Sequence, residues 1–367
     1  MDYLQHGIEV RYFVGNEERS DLVYLVDYKN PDRNSFVIAN QWSFTENSTK
    51  RPDVLLFLNG LPVVLMELKS PSREETDASE AYTQIRNYVH EIPSMFIYNC
   101  ICVMSDQLTS KAGTITSGED RFMEWKTKDG NYENTQHAQF DTFFEGMFMK
   151  ERLLDIIKNF ICFSNEGIKQ KDRLLDILKN FILFSGSGQG RFKVLAGYHQ
   201  YFAVRKAIEK AKVATKTDGK GGVFWHTQGS GKSLSMVFYA HLLQEALDSP
   251  TIVVITDRND LDDQLYGQFA KCKDFLRQDP IHADKRKLSE QDKERNAHLR
   301  KGEKPLIGLM DWLNGRKANG IIFTTMQKFE ESFECLSERR NIIVMADEAH
   351  RGQYGLKEKV DAKTGVI

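Results

Sequence analysis

The sequence lacks the features of secreted and membrane proteins. Its five cysteines are odd in number and scattered, which argues against a disulfide framework and leaves no metal-binding spacing. No basic segment followed by an apolar run opens the chain, so no signal peptide is predicted. The longest apolar stretch, residues 54–68, is broken by Asn59-Gly60 and Pro62, so no transmembrane helix is predicted. We therefore expect a protein of the reducing cytoplasm with no membrane association.

Neither sign of charge dominates the chain. Lys and Arg number 50 against 52 Asp and Glu, a net charge of -2. Contact with a nucleic acid would therefore have to come from local basic patches, because there is no general positive field. A hydrophobic content of 41% with 28% charged residues excludes a largely disordered chain. At roughly 150 residues per domain, 367 residues predict about two domains.

Two patterns of apolar runs divide the chain. Up to about residue 105, short runs between turn signals predict a mixed sheet, with strands at 22–26, 35–39, 54–58, 61–68 and 96–104 and a helix over 72–90. From residue 193, alternation predicts a parallel sheet, with helices over 199–214 and 232–247 and strands at 222–225, 251–256, 320–325 and 341–346. We predict one domain over 1–150, a helical linker over 151–192 and a second domain over 193–367.

The predicted linker contains an internal repeat. Residues 151–164 recur almost unchanged as residues 172–185. Two copies are too few for a solenoid, so we interpret them as a tandem duplication of one amphipathic helix with a buried face. A glycine- and serine-rich stretch, 186–190, then predicts a flexible connection, and the densely charged residues 283–304 predict a solvated helix or insert.

A glycine-rich loop, HTQGSGKS at residues 226–233, lies between a predicted strand and a predicted helix, the context that a phosphate-binding loop requires. Glycines let backbone N–H groups approach phosphate oxygens, and a helix N-terminus adds positive charge. Lys232 would reach the β- and γ-phosphates, and the Ser233 hydroxyl would hold Mg²⁺. His226 stands where the general pattern has glycine. The predicted nucleotide-binding residues here are Gly229, Ser230, Gly231, Lys232 and Ser233.

Two acids follow the last predicted strand, at Asp347 and Glu348. An acid at the carboxyl end of a strand is where the Mg²⁺ ligand opposite a phosphate-binding loop is expected. Asp347 is predicted to hold the metal through water, and Glu348 to orient and deprotonate the attacking water. His350 would sense the γ-phosphate. This half of the chain is predicted to bind ATP.

These residues resemble motifs I and II of superfamily 2 helicases and translocases, at 227–233 and 347–350. Residues 254–258 and 323–328 resemble the motifs that contact the nucleic-acid backbone in that superfamily, although each alone also suits a plain strand end. The resemblance implies DNA contacts by Arg258, Thr324 and Thr325, which would position the protein without reading sequence. Residues 198–200 resemble the adenine-contacting glutamine motif, which implies that Gln200 binds the nucleotide.

The first half carries a second chemical pattern: Asp53, then Glu67 and Lys69. Two carboxylates and a lysine suit metal-dependent phosphodiester hydrolysis, in which both acids chelate Mg²⁺ and the metal generates the nucleophile. Glu67 and Lys69 are two residues apart, so they point to the same face of one strand. A solvated strand edge with alternating charges would give the same triplet.

The hairpin between these acids gives a test of the metal hypothesis. A two-residue turn at Asn59-Gly60 would pair Leu58 with Leu61 and place Asp53 opposite Met66, so that Glu67 faced the other side of the sheet. If both acids hold one metal, a bulge or an odd-length loop near Gly60 must shift the phase by one residue.

Beside helicase-type motifs, the acids resemble the PD-(D/E)XK nuclease domain at the N-terminal side of the type I restriction enzyme R subunit. Gln84 and Tyr88 match the Q-x-x-x-Y motif of that family, and they would contact DNA or support Lys69. The resemblance covers about 20–355. It implies a PD-(D/E)XK domain with a mixed sheet and an incomplete RecA-like parallel-sheet motor. It also implies Mg²⁺ and ATP as cofactors, and double-stranded DNA with methyltransferase and specificity subunits as partners.

In that family, ATP hydrolysis drives translocation along DNA and the nuclease cuts unmethylated DNA. The second RecA-like domain, with its arginine finger, and the part that docks the methyltransferase are expected outside this sequence. We therefore expect ATP binding without appreciable turnover by these residues alone. Two alternatives stay open: a nuclease–helicase of type III restriction or DNA repair, and a DNA-binding fragment inactive by itself.

Overall fold

The computed structural model describes most of the chain, namely residues 1–15, 17–70, 78–106, 108–131, 140–165, 191–227, 229–257, 259–299, 303–329 and 335–349. The second repeat copy, the 186–190 connection, Arg258 and His350 lie outside these ranges. The chain divides into two compact units. Unit 1 comprises Met1–Val213 and Gly219–Phe238, and unit 2 comprises Ala214–Asp218 and Tyr239–Ile367.

Among the described residues of unit 1, the strands are β1 Ile8–Val14, β2 Glu17–Val23, β3 Phe36–Asn40, β4 Phe44–Thr45, β5 Thr49–Lys50, β6 Val54–Leu58, β7 Leu61–Leu68, β8 Ile101–Ser105, β9 Ser110–Gly113, β10 Ile161–Asn165 and β11 Arg191–Leu195. The helices are α1 Asp2–His6, α2 Ala78–Glu91, α3 Phe140–Met147, α4 Lys150–Asn159, α5 Tyr198–Ala214 and α6 Lys232–Ala246, the last of which continues into unit 2.

The corresponding elements of unit 2 are the strands β12 Thr251–Thr256, β13 Ile281–His282, β14 Ile321–Thr325 and β15 Ile342–Ala346, and the helices α7 Asn259–Lys271, α8 Lys273–Leu276, α9 Glu290–Ala297 and α10 Leu309–Asn314. None of the helices described in either unit is both long enough and apolar enough to cross a membrane.

The main sheet of unit 1 is mixed, as the sequence predicts. Its order is β3-β6-β7-β8-β9, with β7 and β8 parallel and the other neighbours antiparallel. Helix α2 packs on one face, where Ile85 and Val89 join Leu55, Leu65 and Phe96 in a core that is fully or almost fully buried. Burial of each such side chain contributes about 1.5–3 kcal/mol. This core fixes α2 against β7 and β8.

The β6–β7 hairpin contains the bulge that the metal hypothesis requires. Leu58 pairs with Leu61 across a two-residue turn, in which Asn59 and Gly60 both have positive φ. The register then shifts: Phe57 pairs with Pro62 but Leu56 pairs with Val64, so Val63 is the extra residue. One extra residue reverses the side-chain phase of the strand that follows it. The sequence prediction of a phase shift near Gly60 is confirmed.

The first repeat copy is a helix followed by a strand, so the prediction of a helix across the whole copy is wrong. Helix α4 ends at Asn159, and residues 161–165 form β10, which pairs antiparallel with β11. The buried face of α4 includes Leu153, Ile156 and Ile157, as the spacing predicts. The helix ends because the apolar run after it, led by Phe160 and Ile161, is buried on all sides and finds a strand partner.

Two boundary predictions in unit 1 are also corrected. The strand expected over 22–26 ends at Val23 and belongs to the exposed β1–β2 ribbon. The strand expected over 96–104 starts only at Ile101, because a 3₁₀ turn at Pro93–Phe96 precedes it. Apolar runs alone do not reveal where proline starts a turn.

Unit 2 is built on a parallel sheet of order β13-β14-β12-β15, in agreement with the predicted α/β alternation. Strands β12 and β14 are almost entirely buried, as continuous apolar runs in parallel sheets require. The charged segment contains α9, whose N-terminus is closed by a capping box between Ser289 and Asp292.

The strand predicted over 222–225 is not formed. Residues 221–227 have no ladder partner, and the side chains of Val223 and Trp225 are 94% and 80% exposed. An apolar run becomes a strand only where a neighbour takes up its backbone hydrogen bonds, and period alone does not supply that neighbour. The glycine-rich loop therefore follows an extended segment rather than a strand.

Candidate functional site

Asp53 and Glu67 lie on one face of the sheet of unit 1. Val54 pairs with Met66, and continuing that register by one residue sets Asp53 opposite Glu67. Directly opposite residues of an antiparallel pair share a face. The backbone N–H of Leu68 also donates to Asp53 Oδ2 at 2.9 Å. The Val63 bulge thus brings together the two carboxylates that the sequence singles out.

Lys69 completes this group. Its Nζ lies 2.9 Å from Glu67 Oε1, and the lysine side chain is 22% exposed while that of Glu67 is 4% exposed. The backbone N–H of Lys69 donates to Ser105 O at 2.7 Å, which holds the residue beside β8 after β7 has ended. The lysine therefore presents its ammonium at the edge of a buried acid.

The environment of Glu67 fits a cation ligand. Burial raises the pKa of Glu67, and the hydrogen bond from Lys69 lowers it, while the charge of Asp53 raises it further. Its Oε2 is buried and has no hydrogen-bond partner in the described part of the chain. A buried carboxylate oxygen left unpaired is costly unless a donor or cation meets it.

The protein groups available to a metal are few. No cluster of three or more His, Cys, Asp or Glu side chains suited to a metal occurs among the described residues. Mg²⁺ usually takes only one or two carboxylates from a protein and completes its coordination with water and substrate phosphate. Asp53 and Glu67 fit that requirement, and they do not fit a closed structural metal site.

Helix α2 carries Gln84 and Tyr88 towards the same group. Tyr88 is buried, and burial raises its pKa to about 12, with Glu67 and Asp53 adding to the rise and a hydrogen bond with Gln84 opposing it. A hydrogen bond with Tyr88 also lowers the pKa of Glu67. The two motif residues thus stand beside the carboxylates. A cavity of about 370 Å³ opens there, lined by Lys69, Ser79, Glu80, Thr83 and Gln84.

The glycine-rich loop has the backbone of a phosphate-binding loop. Gly229 and Gly231 have φ values of +81° and +79°, which favour glycine, and α6 begins at Lys232. Ser230 closes the turn, since its N–H and hydroxyl both donate to Thr227 O, at 3.3 and 2.7 Å. Lys232 and Ser233 therefore occupy the first turn of a helix, as predicted.

The start of α5 holds this loop. Gln200 is 4% exposed, and its amide bridges two backbones: Oε1 accepts from Gly197 N at 2.9 Å and Nε2 donates to Gly231 O at 3.0 Å. His199 Nε2 lies 3.1 Å from Ser230 O. Gln200 thus anchors the loop, and the adenine contact that the resemblance implied for it stays a prediction. The sequence analysis missed His199, although its place beside Gln200 was the available signal.

His226, which replaces the first glycine of the pattern, packs between aromatic rings. Its ring centre lies 4.5 Å from that of Phe224 and 5.3 Å from that of His199. Burial, and then the neighbouring His199 and Lys232, lower the pKa of His226. The neutral imidazole is therefore favoured beside the loop lysine.

In unit 2, Asp347 and Glu348 follow β15 directly. The N–H of Asp347 donates to Ile255 O at 2.8 Å, so the acid sits where β15 leaves the sheet beside β12. Glu348 has a φ of +50°, and its N–H donates to Asp347 Oδ1 at 3.0 Å. A non-glycine residue in this conformation is strained and points to a functional constraint. Both acids are half-buried at the carboxyl end of the strand.

Thr324 and Thr325, which the resemblance implied as DNA contacts, are 0% and 3% exposed on β14. Their hydroxyls reach a DNA phosphate only if this end of the strand becomes accessible. The role assigned to them stays a prediction. Arg258, implied as a third contact, lies outside the described residues.

Comparison with known proteins gives two family matches. Residues 1–121 match the type I restriction enzyme R protein N terminus, and residues 199–364 match the SWI2/SNF2 ATPase. The first match contains the carboxylate pair, and the second contains the glycine-rich loop and the acids after β15.

Curated relatives agree along nearly the whole chain. The type I restriction enzyme HindI endonuclease subunit of Haemophilus influenzae is 37% identical over 97% of this chain and 31% of the relative. The putative MjaIXP endonuclease subunit of Methanocaldococcus jannaschii is 31% identical over 96% of this chain and 32% of the relative. The SauCOLORF180P endonuclease subunit of Staphylococcus aureus is 25% identical over 93% and 31%. The chain spans about a third of the length of these relatives.

Proposed function

Because the chain belongs to the family of type I restriction enzyme endonuclease subunits, we propose that it combines Mg²⁺-dependent cleavage of double-stranded DNA with ATP-driven translocation. The observation that carries the nuclease half is the convergence of Asp53, Glu67 and Lys69 produced by the Val63 bulge. On this proposal, unit 1 contains a PD-(D/E)XK nuclease domain, and the glycine-rich loop begins a RecA-like motor. The domain limits we propose are 1–150, 151–192 and 193–367.

In the nuclease site, Asp53 and Glu67 would hold Mg²⁺. Bound Mg²⁺ supplies positive charge that offsets the negative charge developing on the phosphate during hydrolysis. Lys69 adds a second cation that can bind a phosphate oxygen while its stem is held by β7 and β8. Gln84 and Tyr88 on α2 are proposed to contact the DNA or to support Lys69, and Tyr88 also supports the Glu67 carboxylate. The cavity beside Lys69 leaves room for the DNA backbone.

In the motor, Lys232 and the loop backbone bind the ATP phosphates, and Ser233 and Asp347 hold the accompanying Mg²⁺. Glu348 orients the attacking water. Gln200 ties the loop to α5 and so keeps the loop N–H groups aligned for phosphate. Arg258, Thr324 and Thr325 are proposed contacts to the DNA backbone. A separate specificity subunit would choose the DNA sequence, a methyltransferase subunit would be a further partner, and the complex would work in the cytoplasm.

The nuclease proposal is tested with Asp53→Asn and Lys69→Met in the full chain assembled with its partner subunits. We expect both variants to lose Mg²⁺-dependent cleavage of unmethylated plasmid DNA by about 100- to 1000-fold, because each removes charge from the reacting phosphate or its metal. ATP hydrolysis should be retained. The matched control is Asp21→Asn on the exposed β2 strand. Cleavage at the wild-type rate by Asp53→Asn would refute the proposal.

A further inference from the structure

We propose that Arg51 is a DNA-binding residue of the nuclease site, whose guanidinium clamps a phosphate of the duplex beside the phosphate that is cleaved. This inference rests on the proposed nuclease function. Arg51 belongs to the 41–51 hairpin, which contains β4 and β5 and ends two residues before Asp53. No motif in the sequence indicated Arg51, although a basic residue immediately before Pro52-Asp53 was the available signal.

Arg51 lies close to Asp53 along the chain and in the fold. The N–H of Gln41 donates to Asp53 O at 2.8 Å, so the base of the hairpin is bonded to the catalytic strand. Two residues of chain span at most about 7 Å, so the backbones of Arg51 and Asp53 are close. The hairpin therefore carries a cation beside the segment that holds Asp53.

The guanidinium of Arg51 is held in place by hydrogen bonds, but no acidic side chain that the structure describes neutralises its charge. Arg51 Nε donates to Gln41 O at 3.2 Å, and its Nη2 donates to the Gln41 side-chain oxygen. Both partners are uncharged. No carboxylate lies within ion-pair distance of Arg51 among the described residues, and the side chain is exposed. The remaining N–H groups can form the two-pronged contact that arginine makes with phosphate.

Arg51 differs from the other exposed arginines described in unit 1 in its lack of an acidic partner. The other exposed arginines that the structure describes there each face an acid: Arg11 faces Glu18, Arg19 faces Glu17, Arg33 faces Asp27 and Arg121 faces Asp120. The hairpin has one acid, Glu46, and it is engaged elsewhere, since it accepts from the N–H and hydroxyl of Ser94 at 3.0 and 2.9 Å. Among the exposed arginines that the structure describes in unit 1, Arg51 is thus the one without an acidic partner.

The hairpin that carries Arg51 is held at several points along its length. Trp42 packs edge-on against Phe57 with ring centres 5.7 Å apart, and Phe57 joins the core under α2. Asn47 N donates to Glu91 O at 3.2 Å, which fastens the tip of the hairpin to the end of α2. A cation on a fixed support loses little conformational entropy when it binds. The hairpin is thus a rigid arm rather than a mobile loop.

The test measures binding of the 367-residue chain to a fluorescein-labelled DNA duplex by anisotropy, without divalent metal and at several KCl concentrations. We expect Arg51→Gln to bind about tenfold more weakly than the wild type. The slope of log affinity against log salt should fall by about one, because one phosphate contact is lost. Arg51→Lys should keep the slope and bind with intermediate affinity, since lysine keeps the charge without the fork.

Arg11→Gln is the matched control, because it removes the same charge from an exposed arginine on β1. It should bind as the wild type does, and circular dichroism should show that Arg51→Gln is folded. Wild-type affinity and slope in Arg51→Gln would overturn the inference alone. No duplex binding by the wild type would overturn this inference, while the cleavage assay with the assembled complex decides the nuclease proposal separately. Unchanged cleavage by Asp53→Asn, with weakened binding by Arg51→Gln, would overturn only the proposed chemistry.

Discussion

The backbone N–H of Leu68 donates to the Asp53 carboxylate at 2.9 Å, across the open end of the β6–β7 hairpin. This bond joins the residue after one acid to the side chain of the other. It engages Oδ2 of Asp53, while Oδ1 has no hydrogen-bond partner in the part of the chain that the structure describes. The pair therefore keeps one oxygen of each acid, Asp53 Oδ1 and Glu67 Oε2, available to a cation.

Tyr88→Phe should separate positioning from folding. The ring stays buried in the core under α2, but the hydroxyl that supports Glu67 is lost. We expect cleavage to fall about tenfold, the cost of one hydrogen bond to a charged group, with little change in thermal stability. Tyr82→Phe is the control, since its hydroxyl donates to Ser117 O at 3.2 Å, away from the acids. Full activity in Tyr88→Phe would argue that the tyrosine acts only through packing.

Lys232→Ala should abolish ATP binding, measured with a fluorescent ATP analogue and purified chain. The lysine lies in the first turn of α6, directly after the two left-handed glycines. Removing its charge leaves the phosphates with backbone contacts alone, and we expect affinity to fall by more than about tenfold. Lys210→Ala on α5 removes the same charge elsewhere and should bind normally. Equal loss in both variants would mean that the loop is not the binding site.

Gln200→Ala should weaken ATP binding without touching the nucleotide directly. It breaks the bridge from Gly197 to Gly231, so the loop must be ordered when ATP binds. We expect a smaller loss than in Lys232→Ala. Gln200→Glu tests the bridge itself, because a carboxylate still accepts from Gly197 N but cannot donate to Gly231 O. Isothermal titration should show both variants impaired, and a normal affinity in both would remove the anchoring role.

The turn at Asn59 should contribute measurably to the stability of unit 1. Its side chain accepts from Ser35 N at 2.7 Å and donates to Leu25 O and Asn34 Oδ1 at 2.8 and 2.9 Å, and its φ is +50°. We expect Asn59→Ala to lower the free energy of unfolding by about 2–4 kcal/mol, from lost hydrogen bonds and backbone strain. Asn59→Gly also loses the side-chain hydrogen bonds, but glycine adopts the positive φ at this position without strain. In urea titrations it should fall between the wild type and Asn59→Ala.

Lys193 should make stability depend on pH. It is 5% exposed, its Nζ donates to Asn99 O, and burial lowers its pKa, with Cys100 and Cys102 opposing the shift. The N-terminal amine of Met1 also faces it. The unfolded chain then binds more protons between the lowered pKa and the ordinary value of about 10.4, so stability rises with pH in that window.

The Lys193 prediction is checked by comparison with Lys193→Met, which has no such proton. In urea titrations between pH 7 and about 10.4, the free energy of unfolding of the wild type should rise relative to that of the variant as pH rises. The control is Lys206→Met, at an exposed lysine of α5. A difference between wild type and Lys193→Met that is constant over the whole range would contradict the prediction.

Local chemistry made much of this fold predictable. The strands at 54–58, 61–68 and 251–256 have the predicted limits, because each is an apolar run bounded by turn residues. The phase of β7 was predictable only through the assumed metal site. No local signal places the extra residue at Val63, whose carbonyl accepts from Cys100 N at 2.7 Å. That bond comes from the next strand of the sheet, far along the chain.

The errors have a common physical cause. Residues 222–225 and the end of the first repeat copy both carry apolar runs whose final state depends on whether a neighbouring strand is present. For Gln200, the nucleotide contact stays a prediction, and the fold adds a role that its residue type does not reveal, because Gly197 and Gly231 lie on either side of its amide. Arg51 was missed because its lack of an acidic partner is a property of the folded surface.

The β10–β11 ladder has a practical consequence for protein engineering. Its last pair, Asn165 and Arg191, fixes both ends of the intervening chain side by side. Adding residues to a closed loop costs little free energy, since each doubling of the loop length costs about 0.6 kcal/mol in closure entropy. An insertion directly after Asn165 would therefore begin beside the Asn165–Arg191 pair, and we expect a fluorescent reporter or an affinity label there to cost little stability.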